Sequence, residues 1–84
     1  KSEAEQMNET GNKAFAAQNF LEAIKQYSYA IDLSKDKPNH LYFANRANAY
    51  LEMGRLNETI ADCDSCIELE PTFSKAYFRK ARAL

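Results

Sequence analysis

Two stretches of this chain, His40-Leu41-Tyr42-Phe43-Ala44-Asn45-Arg46-Ala47 and Ser74-Lys75-Ala76-Tyr77-Phe78-Arg79-Lys80-Ala81, share one apolar skeleton 34 residues apart. A displacement of 36 carries the likeness upstream: Gly11 falls on Ala47, Asn12 on Asn48, Phe15 on Leu51, Phe20 on Leu56, Ile24 on Ile60 and Ile31 on Ile67. Small matches small and apolar matches apolar. A fixed period of this length marks an array of supersecondary units, each packing only on its neighbours. With 84 residues the chain holds two units and half of a third, the first link being two residues longer than the second.

The pattern inside each unit is helical. Apolar residues recur at three- and four-residue spacing in Met7, Ala14, Phe15 and Ala17, then in Phe20, Ala23, Ile24, Tyr27, Ala30 and Ile31. Further stretches run from Leu41 to Met53, from Leu56 to Leu69, and through Tyr77, Phe78 and Ala81. Gln18-Asn19 reads as a tight turn, Gly54 as a helix terminator, and Pro71 as a stop after which Thr72 or Ser74 caps the last helix. The expected fold is all-α: five helices in antiparallel hairpins, no strand, one module over residues 1–84. Its units lie at about 4–37 and about 40–73, with the first helix of a third at about 74–84. The aromatics are expected mostly in the core, with Phe73, Phe78 and Leu84 short of cover because the third unit is cut in half.

This spacing resembles the tetratricopeptide repeat, a 34-residue helix-turn-helix unit with a Gly or Ala, an aromatic, then Ala-x3-aromatic, then Pro. Gly11, Phe15, Ala23-Ile24-Lys25-Gln26-Tyr27, Ala30 and Pro71 fit it, while the second unit departs at Thr59, Cys63 and Cys66, all on packing positions. The resemblance implies an α-solenoid whose first helices line a concave groove that binds extended peptides. Three trios sit on those first helices at spacings that share a face: Asn8, Asn12 and Phe15; Asn45, Asn48 and Glu52; Lys75, Arg79 and Arg82. Amides followed by cations suit a carboxylate-rich peptide, because Arg offers paired donors and Lys a compact charge. Phe15, one turn past Asn12, is expected on the groove face against an apolar side chain of the peptide.

Asn12, Asn45, Lys75 and Arg79 also match the carboxylate clamp of the co-chaperone subset of this family, with Asn8 where its first lysine stands. That resemblance implies a co-chaperone module gripping the C-terminal Glu-Glu-Val-Asp of the seventy- or ninety-kilodalton heat-shock chaperones. The alternative is a scaffold or oligomerisation segment with no charged-peptide clamp, self-associating through its uncovered final helix.

Other functions find little support. Hydrophobic residues make up 45% of the chain, charged ones 27%, and the net charge is −1, against a general nucleic-acid binder. The charges are nonetheless segregated, Glu58 to Glu70 being acidic and Lys75 to Arg82 basic. No apolar run approaches the roughly 18 residues of a membrane span, so no membrane insertion is expected, and a piece of a longer cytoplasmic protein fits best. Cys63 and Cys66 are read as packing residues in a reducing compartment, since a zinc site needs about four ligands and His40 lies far off. No metal, cofactor or enzymatic activity is expected: there is no nucleophilic triad, and Gly11 and Gly54 cannot make a phosphate loop. The sequons Asn8-Glu9-Thr10 and Asn57-Glu58-Thr59 fall within or at the start of expected helices.

Overall fold

A computed structural model describes all of residues 1–84. Five helices follow in order: α1 (Glu3–Ala16), α2 (Phe20–Leu33), α3 (His40–Glu52), α4 (Leu56–Leu69) and α5 (Ser74–Ala83). No helix is long and apolar enough to cross a membrane.

The helix ends follow from local chemistry. Ser2 caps α1 reciprocally: its Oγ accepts from the Glu5 backbone N–H at 3.1 Å, and its own N–H donates to the Glu5 side chain at 3.1 Å. Asn19 caps α2 and Asn39 caps α3 through their side-chain oxygens. The turn between α1 and α2 puts Gln18 at φ 63, and the turn after α3 puts Gly54 at φ 72. Only Gly54 holds that left-handed backbone without steric cost. The start of α5 differs from expectation. Phe73 is the cap residue and makes no side-chain cap bond, while the Thr72 hydroxyl donates to Glu70 at 2.7 Å. Thr72 stands one residue ahead of the cap position.

Consecutive helices pack as antiparallel neighbours, and α3 also touches both α1 and α5. The first helices of the three units therefore stand side by side. Small side chains permit this closeness: Ala23, Ala30, Ala47, Ala49, Thr59, Cys63 and Cys66 are fully buried. Gly11 is the tightest point, because a Cβ there would lie 2.5 Å from Cε1 and 2.7 Å from Cδ1 of Tyr27. Thr59, Cys63 and Cys66 thus serve as core residues, Thr59 donating its hydroxyl to the Arg55 carbonyl at 2.8 Å. Burial pushes the Cys63 thiol up to about 11, with the Arg79 charge opposing the rise.

One charged pair ties three helices together. Arg46 of α3 grips Asp62 of α4 with two N–H···O bonds of 2.8 Å and donates a third to Ser28 Oγ of α2 at 3.0 Å. The Asp62 side chain is almost wholly buried, so every lone pair it lacks a partner for would be costly.

The aromatics divide more unevenly than periodicity predicts. Tyr27 and Tyr42 are buried, whereas Tyr29, Tyr77 and Phe78 stand exposed, Phe78 to 65%. Tyr77 reaches back to donate its hydroxyl to the Pro71 carbonyl at 2.8 Å. Phe73, expected to lack cover, packs on Ala44, Cys66 and Ala76 and meets the His40 ring edge-on at 4.9 Å. The helix hairpin covers it, while Phe78 and Leu84 stay exposed.

Candidate functional site

The side-by-side placement of α1, α3 and α5 brings the polar trios onto adjacent helices, and three contacts fix their arrangement. Asn45 Nδ2 donates to Asn8 Oδ1 at 2.9 Å, joining α3 to α1. The Tyr27 hydroxyl donates to Asn12 Oδ1 at 2.7 Å, holding that amide from behind. Arg79 Nη1 donates to the Ala44 carbonyl at 3.0 Å, joining α5 to α3 next to Asn45. Burial pushes the Tyr27 phenol up to about 12, and the Arg79 charge opposes that rise. The phenol is a donor throughout the neutral range, so Asn12 Oδ1 accepts from it and the Asn12 NH2 remains without a partner in the chain.

The cations are unequal. Lys75 is exposed and has no partner within the chain, one turn before the half-buried Arg79. Lys80 is engaged by Asp64 at 2.7 Å, and this carboxylate holds its ammonium above the ordinary lysine value. The Arg82 guanidinium lies 5.9 Å from the centre of the Phe78 ring. Lys75 is therefore free to meet a ligand, and Arg79 can do so through the N–H groups that Ala44 does not use. Asn48 is half-buried one turn after Asn45 and bonds to nothing in the chain.

Phe15 has a different setting from the one its spacing suggests. Its ring meets Phe20 edge-on at 5.2 Å and packs on Ala23, Tyr27 and Ala49, so most of it is committed to the α1–α2 hairpin. Tyr27 was the residue that sequence reasoning missed. Its helical position marks it as core, and only the Gly11 opposite, which admits the ring, hints that its hydroxyl reaches Asn12.

The surface hollows lie elsewhere. One of about 490 Å³ sits where α1 begins, between Glu3, Leu33, Asp36 and Tyr42; a second of about 310 Å³ lies between Pro38, Phe43 and Glu68. Neither holds the amides and cations. An extended peptide needs an open wall of alternating donors more than an enclosed cavity, so the α1–α3–α5 wall is the better candidate.

Comparison with known proteins gives a consistent result. Residues 41–73 match the model of the tetratricopeptide repeat. The chain is 45% identical over 78 residues to Hsp70-Hsp90 organizing protein 3 of Arabidopsis thaliana, covering 92% of this chain and 13% of that protein. It is 43% identical over 81 residues to the heat shock protein sti1 homolog of Schizosaccharomyces pombe, again covering 13% of the relative. It thus spans about an eighth of the length of these relatives. Among solved structures, the second TPR of Spaghetti (RPAP3), bound to the HSP90 peptide SRMEEVD, superposes with a TM-score of 0.92 at 33% identity, covering 98% of this chain and 74% of that one. The TPR2B domain of yeast Sti1, in a complex with an Hsp70 peptide, superposes at 0.90 with 33% identity, covering 96% of this chain and 63% of that one.

Proposed function

The chain belongs to the tetratricopeptide-repeat family, and on that premise we propose that its α1–α3–α5 wall binds the acidic C-terminal tail of a heat-shock chaperone, as a non-enzymatic adaptor in the cytoplasm. The observation that carries this reading is the convergence of Lys75 and Arg79 with Asn8, Asn12 and Asn45 on adjacent first helices, held there by the Arg79–Ala44 and Asn45–Asn8 bonds. Two solved relatives of like geometry hold chaperone peptides on their repeats, which supports the same ligand class.

The energetics are adequate. A hydrogen bond to a charged group contributes about 1.5–3 kcal/mol. Three or four such bonds, less the cost of ordering the peptide, reach the roughly 8 kcal/mol of a micromolar complex. Most of the attraction is electrostatic, so added salt weakens it. The test is calorimetric titration with a peptide ending in Glu-Glu-Val-Asp. Lys75→Ala is expected to weaken binding by about tenfold, ~1.4 kcal/mol, with unchanged helicity. Binding unaltered by both Lys75→Ala and Arg79→Glu overturns the proposal.

The exposure of Phe78 and Leu84 favours a second reading, a scaffold that self-associates through α5. Concentration-dependent sedimentation abolished by Phe78→Ser, together with no peptide binding, is what that reading requires.

A further inference from the structure

The wall is chemically split, and the split bears on which part of an acidic peptide it reads. Among the residues of the three trios, the positive charges are all on α5, in Lys75, Arg79 and Arg82. The α1 and α3 amides Asn8, Asn12 and Asn45 are uncharged and are oriented by bonds within the chain. Asn45 spends an N–H on Asn8 Oδ1, which leaves Asn45 Oδ1 as a bare acceptor and the Asn8 NH2 as a free donor beside it. Asn12, with its oxygen taken by Tyr27, adds another donor. A donor next to an acceptor is the complement of an amide, because an amide also offers one of each. A carboxylate is acceptor-only and meets the Asn45 oxygen as a repelling lone pair.

Resting on the peptide-groove reading above, we propose that the Asn8–Asn45 amide pair reads peptide amides while Lys75 and Arg79 read side-chain carboxylates, so that the groove accepts acidic segments whether or not the peptide chain ends there. Internal acidic stretches of a partner protein are then ligands alongside free C-termini. Asn8 acts as the specificity-determining residue, since its side chain both withholds a charge from the wall and turns the Asn45 oxygen outward.

The experiment compares three synthetic peptides on the unaltered chain by calorimetry or fluorescence anisotropy: one ending in Glu-Glu-Val-Asp with a free carboxylate, the same peptide with a C-terminal carboxamide, and the same peptide with each Glu and Asp replaced by Gln and Asn. The expected order has the carboxamide within about threefold of the free acid and the side-chain-neutralised peptide at least tenfold weaker. An Asn8→Lys variant is expected to favour the free acid over the carboxamide by tenfold or more, because it supplies a charge for the terminus and breaks the amide pair. If amidation costs the unaltered chain as much as side-chain neutralisation does, or if Asn8→Lys leaves the acid-to-amide ratio where it was, this inference is wrong while the groove reading stands. If no peptide binds, or neither Lys75→Ala nor Arg79→Glu changes binding, both fall together.

Discussion

Gly11→Ala offers a sharp check on how the site is held, because two effects of opposite sign meet there. Replacing a mid-helix glycine by alanine ordinarily stabilises a helix by about 1 kcal/mol. Here the new Cβ would sit 2.5 Å and 2.7 Å from two ring carbons of Tyr27, a side chain only 2% exposed whose hydroxyl is anchored to Asn12. The ring is rigid and must retreat by close to an ångström, or α1 and α2 must part. Overpacking of that kind costs about 1–3 kcal/mol, and losing the Tyr27–Asn12 bond adds about 0.5–1.5 kcal/mol. The net expectation is a loss near 2 kcal/mol, or a fall in Tm of roughly 10 °C for a domain of this size. Urea denaturation followed by circular dichroism at 222 nm measures it. The double variant Gly11→Ala/Tyr27→Leu should recover part of the loss, because the smaller side chain vacates the contact. A Gly11→Ala chain as stable as the parent, or more so, refutes the argument that Tyr27 is wedged against this glycine.

Two further outcomes are expected. Arg46→Met leaves Asp62 buried without its partner and should cost about 3–5 kcal/mol, whereas Arg46→Met/Asp62→Leu should recover most of that; a double-mutant cycle by chemical denaturation that shows purely additive losses rejects the buried pair as a coupled unit. Raising the pH should also destabilise the fold. Burial raises Cys63 from 9.0 to about 11, so the unfolded chain loses this proton first and stability falls between about pH 9 and 11, by up to ~3 kcal/mol at ~1.4 per unit. Melting curves should show a shallower alkaline fall for Cys63→Ala, and an identical fall would assign it elsewhere.

Much of the architecture is legible in the sequence because repetition reports packing. The pairing of Ile24 with Ile60 and of Gly11 with Ala47 marks which residues face a neighbouring helix, and the breakers Gly54 and Pro71 mark where helices end. The placement of Cys63 and Cys66 follows from the same register. What a period cannot report is the competition among polar groups. Thr72 has the chemistry of a helix cap but stands one residue ahead of the cap position, its hydroxyl donating to Glu70. Lys75 and Lys80 are equal as letters, yet Asp64 engages one and leaves the other free. Phe15 shares a helical face with Asn12, but periodicity does not report that α2 supplies Phe20 and Tyr27 as partners for its half-buried ring. Periodicity also treats Phe73 and Phe78 alike, although the hairpin covers one and the other stays exposed.

The bond from Arg79 to the Ala44 carbonyl makes one side chain a joint of the scaffold as well as a contact for ligand. A screen that scores protein abundance and a screen that scores partner capture will therefore both flag position 79, for unrelated reasons that a single readout confounds. Lys75, bonded to nothing in the chain, separates the two traits: its variants should vary in capture while keeping their abundance. The ratio of effects at these two positions, one helical turn apart, is consequently a gauge of how far recognition in this chain has been built out of parts that also hold it together.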